Sequence, residues 1–252
     1  MKLQQRRPFL LSTLAALALT SWNVQAQDNL LRVGTDATFP PMEFVENNQR
    51  TGFDIELVEA IAKSMGKQVQ WVDIDFKGLI PGLVSKRFDM AVSAIYITDE
   101  RKKVVDFTDP YYAGGLVVMV KDSNNSIKKL SDLDGKKVSV QVGTKSVSYL
   151  TQNYPKVQRV EVEKNQEMFN LVDIGRADAA VTGKPAAYQY VRTRPGLRVL
   201  PEQLTTEEYG MALRKDTPEL TKAVNAALAK LKADGTYDAI VKKWFSASAA
   251  AK

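Results

Sequence analysis

From Leu30 onward, short apolar runs rich in β-branched residues alternate with stretches of helical period. That alternation predicts βα units built on mainly parallel sheet. LLRVGT reads as the first strand. In FDIELVEAIAKSMG, Phe53, Leu57, Ile61 and Met65 recur at steps of four, which gives an apolar stripe with acids on the opposite face and Gly66 as a stop. QVQWVDI reads as a strand, GLIPGLVSKR as a short helix and FDMAVSAI as a buried strand, so three βα repeats open the chain. A second set follows Gly114-Gly115: LVVMVK, a short turn at SDLDG, KKVSVQVG, SVSYLTQNY, VQRVEV, NQEMFNLVDIG, ADAAVTG, PAAYQYVRT and LRVL. EYGMALR adds one more strand. TPELTKAVNAALAKLKADG is a long amphipathic helix, with Thr217 as N-cap, Pro218 in the first turn and Gly235 as its stop, and TYDAIVKKWF is the last helix.

Two βα sets without a Pro/Ser-rich linker between them predict two packed lobes. Ligands of open α/β sheets bind outside the carboxyl ends of the strands, which places the site in the cleft.

The first 26 residues stand apart. Lys2, Arg6 and Arg7 precede an apolar run from Pro8 to Thr20, and Val24-Gln25-Ala26 follows as a small-x-small cleavage site. This is the pattern of a secretory signal peptide over 1–26, too short in its apolar part for a bilayer span. QRRPFL has a twin-arginine flavour without the usual preceding Ser or Thr, so Sec export is the default. Cleavage removes only those three charges and lowers the formal net charge from +6 to +3. Such mild basicity does not point to nucleic acid. The chain has no cysteine and no histidine. That excludes a lipid-anchored cysteine, disulfides, thiolate chemistry and the commonest zinc ligand and general base. No catalytic residue, metal or cofactor is expected, and the mature chain is read as a free periplasmic monomer with a frayed tail at 247–252.

The strings VGTDATFPPMEF, TGFDIELVEAIAK, DFKGLIPGL, ITDERKKVVDFTDPYY, DLDGKKVSVQVGT, GRADAAV and LKADGTYDAIVKKWF, in this order and spacing, resemble the periplasmic solute-binding proteins of polar amino acid ABC transporters. The glutamine-binding and lysine/arginine/ornithine-binding members are the most similar in appearance. The resemblance implies a type II periplasmic binding fold: lobe 1 from 27–112 and 209–252, lobe 2 from 113–208, and hinge strands at 111–115 and 207–210. It implies an amino acid ligand, with an inner-membrane permease and its ATPase as partners.

It also assigns roles. Arg101 would take the α-carboxylate through its planar guanidinium; read alone, it belongs rather to a solvated basic face with Lys102 and Lys103. Thr144, Lys145 and Ser146 follow Gln141 at a helix start, where free backbone N–H groups suit the same carboxylate and side-chain capping is the plain alternative. Phe39 and Phe76 are placed on loops as aromatic walls, and Asp36 presents a carboxylate to a polar or cationic ligand group or serves as a turn residue. Ser93, Ala94 and Tyr96 end the strand before Arg101, and Tyr96 departs from the small residues of the pattern.

A larger departure lies at Thr182 and Gly183, where the pattern carries an aspartate for the α-ammonium. A buried ammonium without a charged partner is costly. The amine is then met elsewhere, by Asp36, Tyr96 and backbone carbonyls, or points away in a D-amino acid, or is absent. The expected ligand is a small neutral amino acid, D-alanine or glycine-like ahead of L-glutamine. A rival is an enzyme of the cyclohexadienyl dehydratase type on the same fold, for which Asp36, Lys145, Glu207 and Glu208 are the acid–base candidates. A receptor ectodomain is the other rival.

Overall fold

The protein is described here from a computed structural model covering residues 29–246. The 1–26 leader and the 247–252 tail lie outside the described residues.

Lobe 1 opens with β1 (Leu30–Thr35) and a small antiparallel sheet of β2 (Thr38–Phe39), β3 (Glu43–Glu46) and β4 (Gln49–Thr51). Helix α1 (Phe53–Ser64), β5 (Gln68–Asp73), α2 (Phe76–Val84), β6 (Met90–Ala91), α3 (Asp99–Lys102) and β7 (Asp106–Phe107) follow. The chain then crosses on β8 (Tyr112–Ala113). The second lobe runs β9 (Leu116–Lys121), a 3-10 turn at Leu130–Leu133, β10 (Lys137–Gln141), α4 (Lys145–Asn153), β11 (Gln158–Val162) and α5 (Asn165–Asp173). It continues with β12 (Ala179–Gly183), α6 (Lys184–Thr193) and β13 (Leu197–Gln203). The return crossing is β14 (Glu208–Tyr209), after which β15 (Ala212–Leu213), α7 (Pro218–Ala233) and α8 (Thr236–Phe245) complete lobe 1.

Each lobe is built on a five-stranded sheet, ordered β5-β1-β6-β15-β7 in the first and β11-β10-β12-β9-β13 in the second. β1 pairs in parallel with β5 and β6, and β10 with β11 and β12. Because parallel strands point the same way, Asp36, Ser93, Gln141 and Gly183 all arrive at carboxyl ends, on the side where the lobes meet. The two crossings form an antiparallel ladder, Glu208 with Ala113 and Tyr209 with Tyr112.

Five expectations need correction. The strand in FDMAVSAI stops at Ala91. Beyond it the Ala94 N–H bonds the Asp54 carboxylate instead of a neighbouring strand, and Ala94 takes a left-handed φ of 45°. EYGMALR is two strands rather than one, because β14 pairs with the crossing strand β8 while β15 enters the lobe 1 sheet beside β6 and β7. The acids of α1 are not all on its outer face, since Asp54 is fully buried. Phe76 is the first residue of α2 and Phe39 lies in β2, so neither sits on a loop. Thr217 precedes α7 as expected, but its hydroxyl donates to the Arg214 carbonyl instead of capping the helix.

Phe88 anchors a separate apolar cluster in lobe 1 with Leu79, Leu83, Ala91, Ile95, Val105 and Ala212. Its ring lies where a side chain on Gly34 would go: a Cβ there would stand 2.6 Å from the ring. Phe88→Ala is expected to destabilise the fold by about 3–5 kcal/mol, read from the urea midpoint at unchanged slope. A loss below about 1 kcal/mol would contradict this packing.

Candidate functional site

The carboxyl ends of the strands and the starts of α2, α4 and α5 enclose one cavity between the lobes. Its free interior is about 30 Å³. Its wall brings together Asp36, Phe39, Phe76, Ser93, Ala94, Tyr96, Gln141, Thr144, Lys145, Ser146, Thr182 and Gly183. Arg101 is not on that wall.

Asp36 is 3% exposed. Both of its oxygens are occupied: Oδ1 accepts from the Thr38 hydroxyl at 3.1 Å and the Lys164 ammonium at 3.0 Å, and Oδ2 from the Phe76 N–H at 3.1 Å and the Gln141 amide at 2.9 Å. Gln141 and Lys164 reach across from lobe 2. The expected offer of a carboxylate to the ligand is therefore corrected, because an internal cation already holds it.

At Gly183, where the resemblance places an aspartate, a Cβ would stand 2.4 Å from the Tyr209 hydroxyl and 3.0 Å from the tip of Phe39. Tyr209 thus occupies the volume of the absent side chain. Its hydroxyl donates to Tyr96 Oη at 3.2 Å, and Tyr96 Oη also accepts the Gly115 N–H at 3.1 Å. Burial pushes both phenols up, so both stay neutral hydroxyls.

On the lobe 2 side, α4 starts at Lys145, so its first turn, whose N–H groups lack helical partners, stands on the cavity wall. The Thr144 hydroxyl donates to the Gln141 carbonyl at 2.7 Å and does not cap α4, and Ser146 is buried. Lys145 lies 3.6 Å from Glu207 on the return crossing. Arg101, in α3 behind the N-cap Thr98, lies at the cleft mouth with its guanidinium 5.5 Å above the Phe76 ring. It donates to the Tyr96 carbonyl at 2.9 Å and to the Gly143 carbonyl of lobe 2 at 3.3 Å. Burial lowers its pKa to about 10, which leaves it charged at neutral pH. A guanidinium has five N–H donors, and the two bonds to carbonyls leave the others for a ligand.

The profile of the bacterial extracellular solute-binding proteins, family 3, matches residues 31–247. The chain belongs to this family. Over 237 residues it is 35% identical to ABC transporter arginine-binding protein 1 of Escherichia coli K12, covering 92% of this chain and 96% of that protein. An ancestral arginine-binding protein bound to arginine superposes with a TM-score of 0.84 at 44% identity, over 86% of this chain and 99% of the other. The ancestral amino acid-binding protein AncCDT-1, a precursor of cyclohexadienyl dehydratase, does so at 0.83 and 43%, over 87% and 97%. The fold is the type II periplasmic binding fold of that family.

This family member's cavity also holds residues that the sequence did not single out: Glu43, Leu116, Asn165, Met168, Val181 and Tyr209. Tyr209 was legible only as hinge. Glu43 shows its role only in three dimensions. It is 1% exposed, accepts the Ser93 hydroxyl at 2.7 Å, and faces the buried Asp54, which accepts the Ala94 N–H at 2.8 Å and the Tyr111 hydroxyl at 2.9 Å. Burial, then the neighbouring Asp54 charge, pushes Glu43 well above the usual carboxylate range, and burial raises Asp54 to about 6. Two carboxyls this close cannot both ionise cheaply, so they share a proton.

In the unfolded chain both acids ionise near pH 4. Above that the folded pair still holds a proton the unfolded chain has released, so stability falls as pH rises through about 6 and beyond. Glu43→Gln keeps a donor toward Asp54 and an acceptor for Ser93. It is expected to flatten the fall in melting temperature between pH 5 and pH 8; equal slopes for both proteins would contradict the shared proton.

Proposed function

We propose that this chain is the periplasmic substrate-binding component of an ABC amino acid importer, exported behind a cleaved leader and acting as a monomer. It closes on a small neutral amino acid, D-alanine or glycine ahead of L-glutamine, and presents the closed form to an inner-membrane permease and its ATPase. Family membership and the arginine-binding and amino acid-binding relatives support amino acid capture. No helix among the described residues is long and apolar enough to cross a membrane.

The observation that carries the small-ligand reading is the 30 Å³ cavity, with Tyr209 filling the place of the family's aspartate. In this reading the carboxylate lies where the cavity meets the cleft mouth, between Arg101 and the N–H groups that begin α4, and Phe39 and Phe76 wall the apolar part of the ligand. Without a carboxylate at 183, the amine turns to the hydroxyl oxygens of Tyr96 and Tyr209 and to the Glu43 carboxyl. A D-configuration suits that exchange of groups around the α-carbon. The lobes rotate about the two crossings at 111–115 and 207–210.

An acid on the cavity wall is what favours the second reading, a cyclohexadienyl dehydratase-like enzyme. Glu43, however, already accepts the Ser93 hydroxyl and shares its proton with Asp54. It has no partner arrangement that aims a proton at a ligand, and no turnover of prephenate or arogenate is expected.

D-alanine and glycine are expected to raise the melting temperature in proportion to affinity. Arg101→Met should weaken their binding by on the order of 100-fold. Calorimetry in which L-glutamine binds at micromolar or better while D-alanine gives no heat would overturn the small-ligand reading. Unchanged affinity in Arg101→Met would overturn the carboxylate assignment.

A further inference from the structure

Lys164 is the N-cap residue of α5 in lobe 2, yet its ammonium lies in lobe 1 territory. It is 3.0 Å from Asp36 Oδ1 and 2.7 Å from Asp75 Oδ1, the residue preceding α2. The two carboxylates differ in their need for it. Asp75 is half exposed and can turn to water, whereas the Asp36 side chain is 2% exposed and cannot. A buried carboxylate on the wall of a ligand cavity attracts any cation that can reach it, since leaving such a charge without a counter-charge is costly. In this chain the cation is covalently tethered and always present at full local concentration. Burial opposes the charge on Lys164, and the two carboxylates outweigh that and hold it protonated.

From this we infer that Lys164 is a specificity-determining residue, a built-in cation that occupies Asp36 and Asp75 and so excludes amino acids with cationic side chains. A guanidinium or ammonium carried by a ligand would have to displace Lys164 and add a positive charge to a small closed space. A neutral side chain meets no such contest. The inference rests on the amino acid-binding reading and adds which ligands are refused. The same contact also bridges the lobes, as does Lys77 with Glu163 at 2.5 Å, so a plain clasp is the rival explanation.

Calorimetry with L-arginine, L-lysine, glycine and D-alanine on wild type, Lys164→Ala, Lys164→Met and Lys77→Ala separates the two. Lys164→Ala is expected to bind L-arginine on the order of tenfold or more tighter than wild type, because Asp36 then keeps only its neutral donors, Thr38, Phe76 N–H and Gln141, and lacks a cation. Lys164→Met, which keeps the stem and removes the charge, should show the same direction and serves if the alanine variant is unstable. Lys77→Ala, which removes an interlobe ion pair without touching Asp36, should leave arginine excluded. Two results would overturn the inference: wild type that already binds L-arginine tightly with Lys164 in place, or Lys164 variants that lose affinity for every amino acid alike without gaining any for arginine. Failure of the small-ligand reading shows separately, as wild type that binds neither glycine nor D-alanine, and leaves the arginine gain to be read on its own.

Discussion

The structure depends on satisfying one buried negative charge. Asp36 ends β1 with almost no solvent contact, and two of its four donors, Gln141 and Lys164, belong to the other lobe. Only when the lobes meet does it have its full set of partners. The closed arrangement is therefore written into the site itself, with the outer pairs Asp75–Lys164 and Lys77–Glu163 adding little for their exposure. The small cavity, the crossing of Arg101 to the Gly143 carbonyl and the approach of α4 all follow from that closure.

A second constraint lies beneath the first. Glu43 and Asp54 fix the irregular stretch 92–96 by binding the Ser93 hydroxyl and the Ala94 N–H. That turns the chain out of the sheet and delivers Tyr96 to the cavity. Asp54 also takes the Tyr111 hydroxyl, while the Tyr111 N–H bonds the Tyr209 carbonyl, so the acid pair, the ligand wall and both crossings form one hydrogen-bonded body. Tyr96 and Tyr209 close the circuit by joining their hydroxyls above Gly183. The cavity wall and the two crossings are thus one network rather than two.

Much of this was legible beforehand. The period of four in FDIELVEAIAK and the β-branched runs LLRVGT and LVVMVK predict elements that lie where expected, because burial on a sheet is what those patterns encode. Twelve of the residues that the resemblance names line the cavity. What stayed hidden was governed by long-range polar contact. Asp54 sits in a stripe of acids that reads as solvent-facing, and nothing local says that one of them is buried 57 residues before its partner Tyr111. Nor does DATF reveal that Asp36 meets a lysine 128 positions later, or EYG that a tyrosine of the crossing strand fills the space beside Gly183. Arg101 was recognised by type, while its place at the cleft mouth rather than on the wall needed the fold.

A crystal structure of the protein with whichever small neutral amino acid binds it tightest tests the account most directly. The ligand carboxylate should lie within hydrogen-bond distance of the Arg101 guanidinium, about 3 Å, between closed lobes and with Lys164 still on Asp36. A carboxylate held elsewhere, with the guanidinium turned to bulk water, would contradict it.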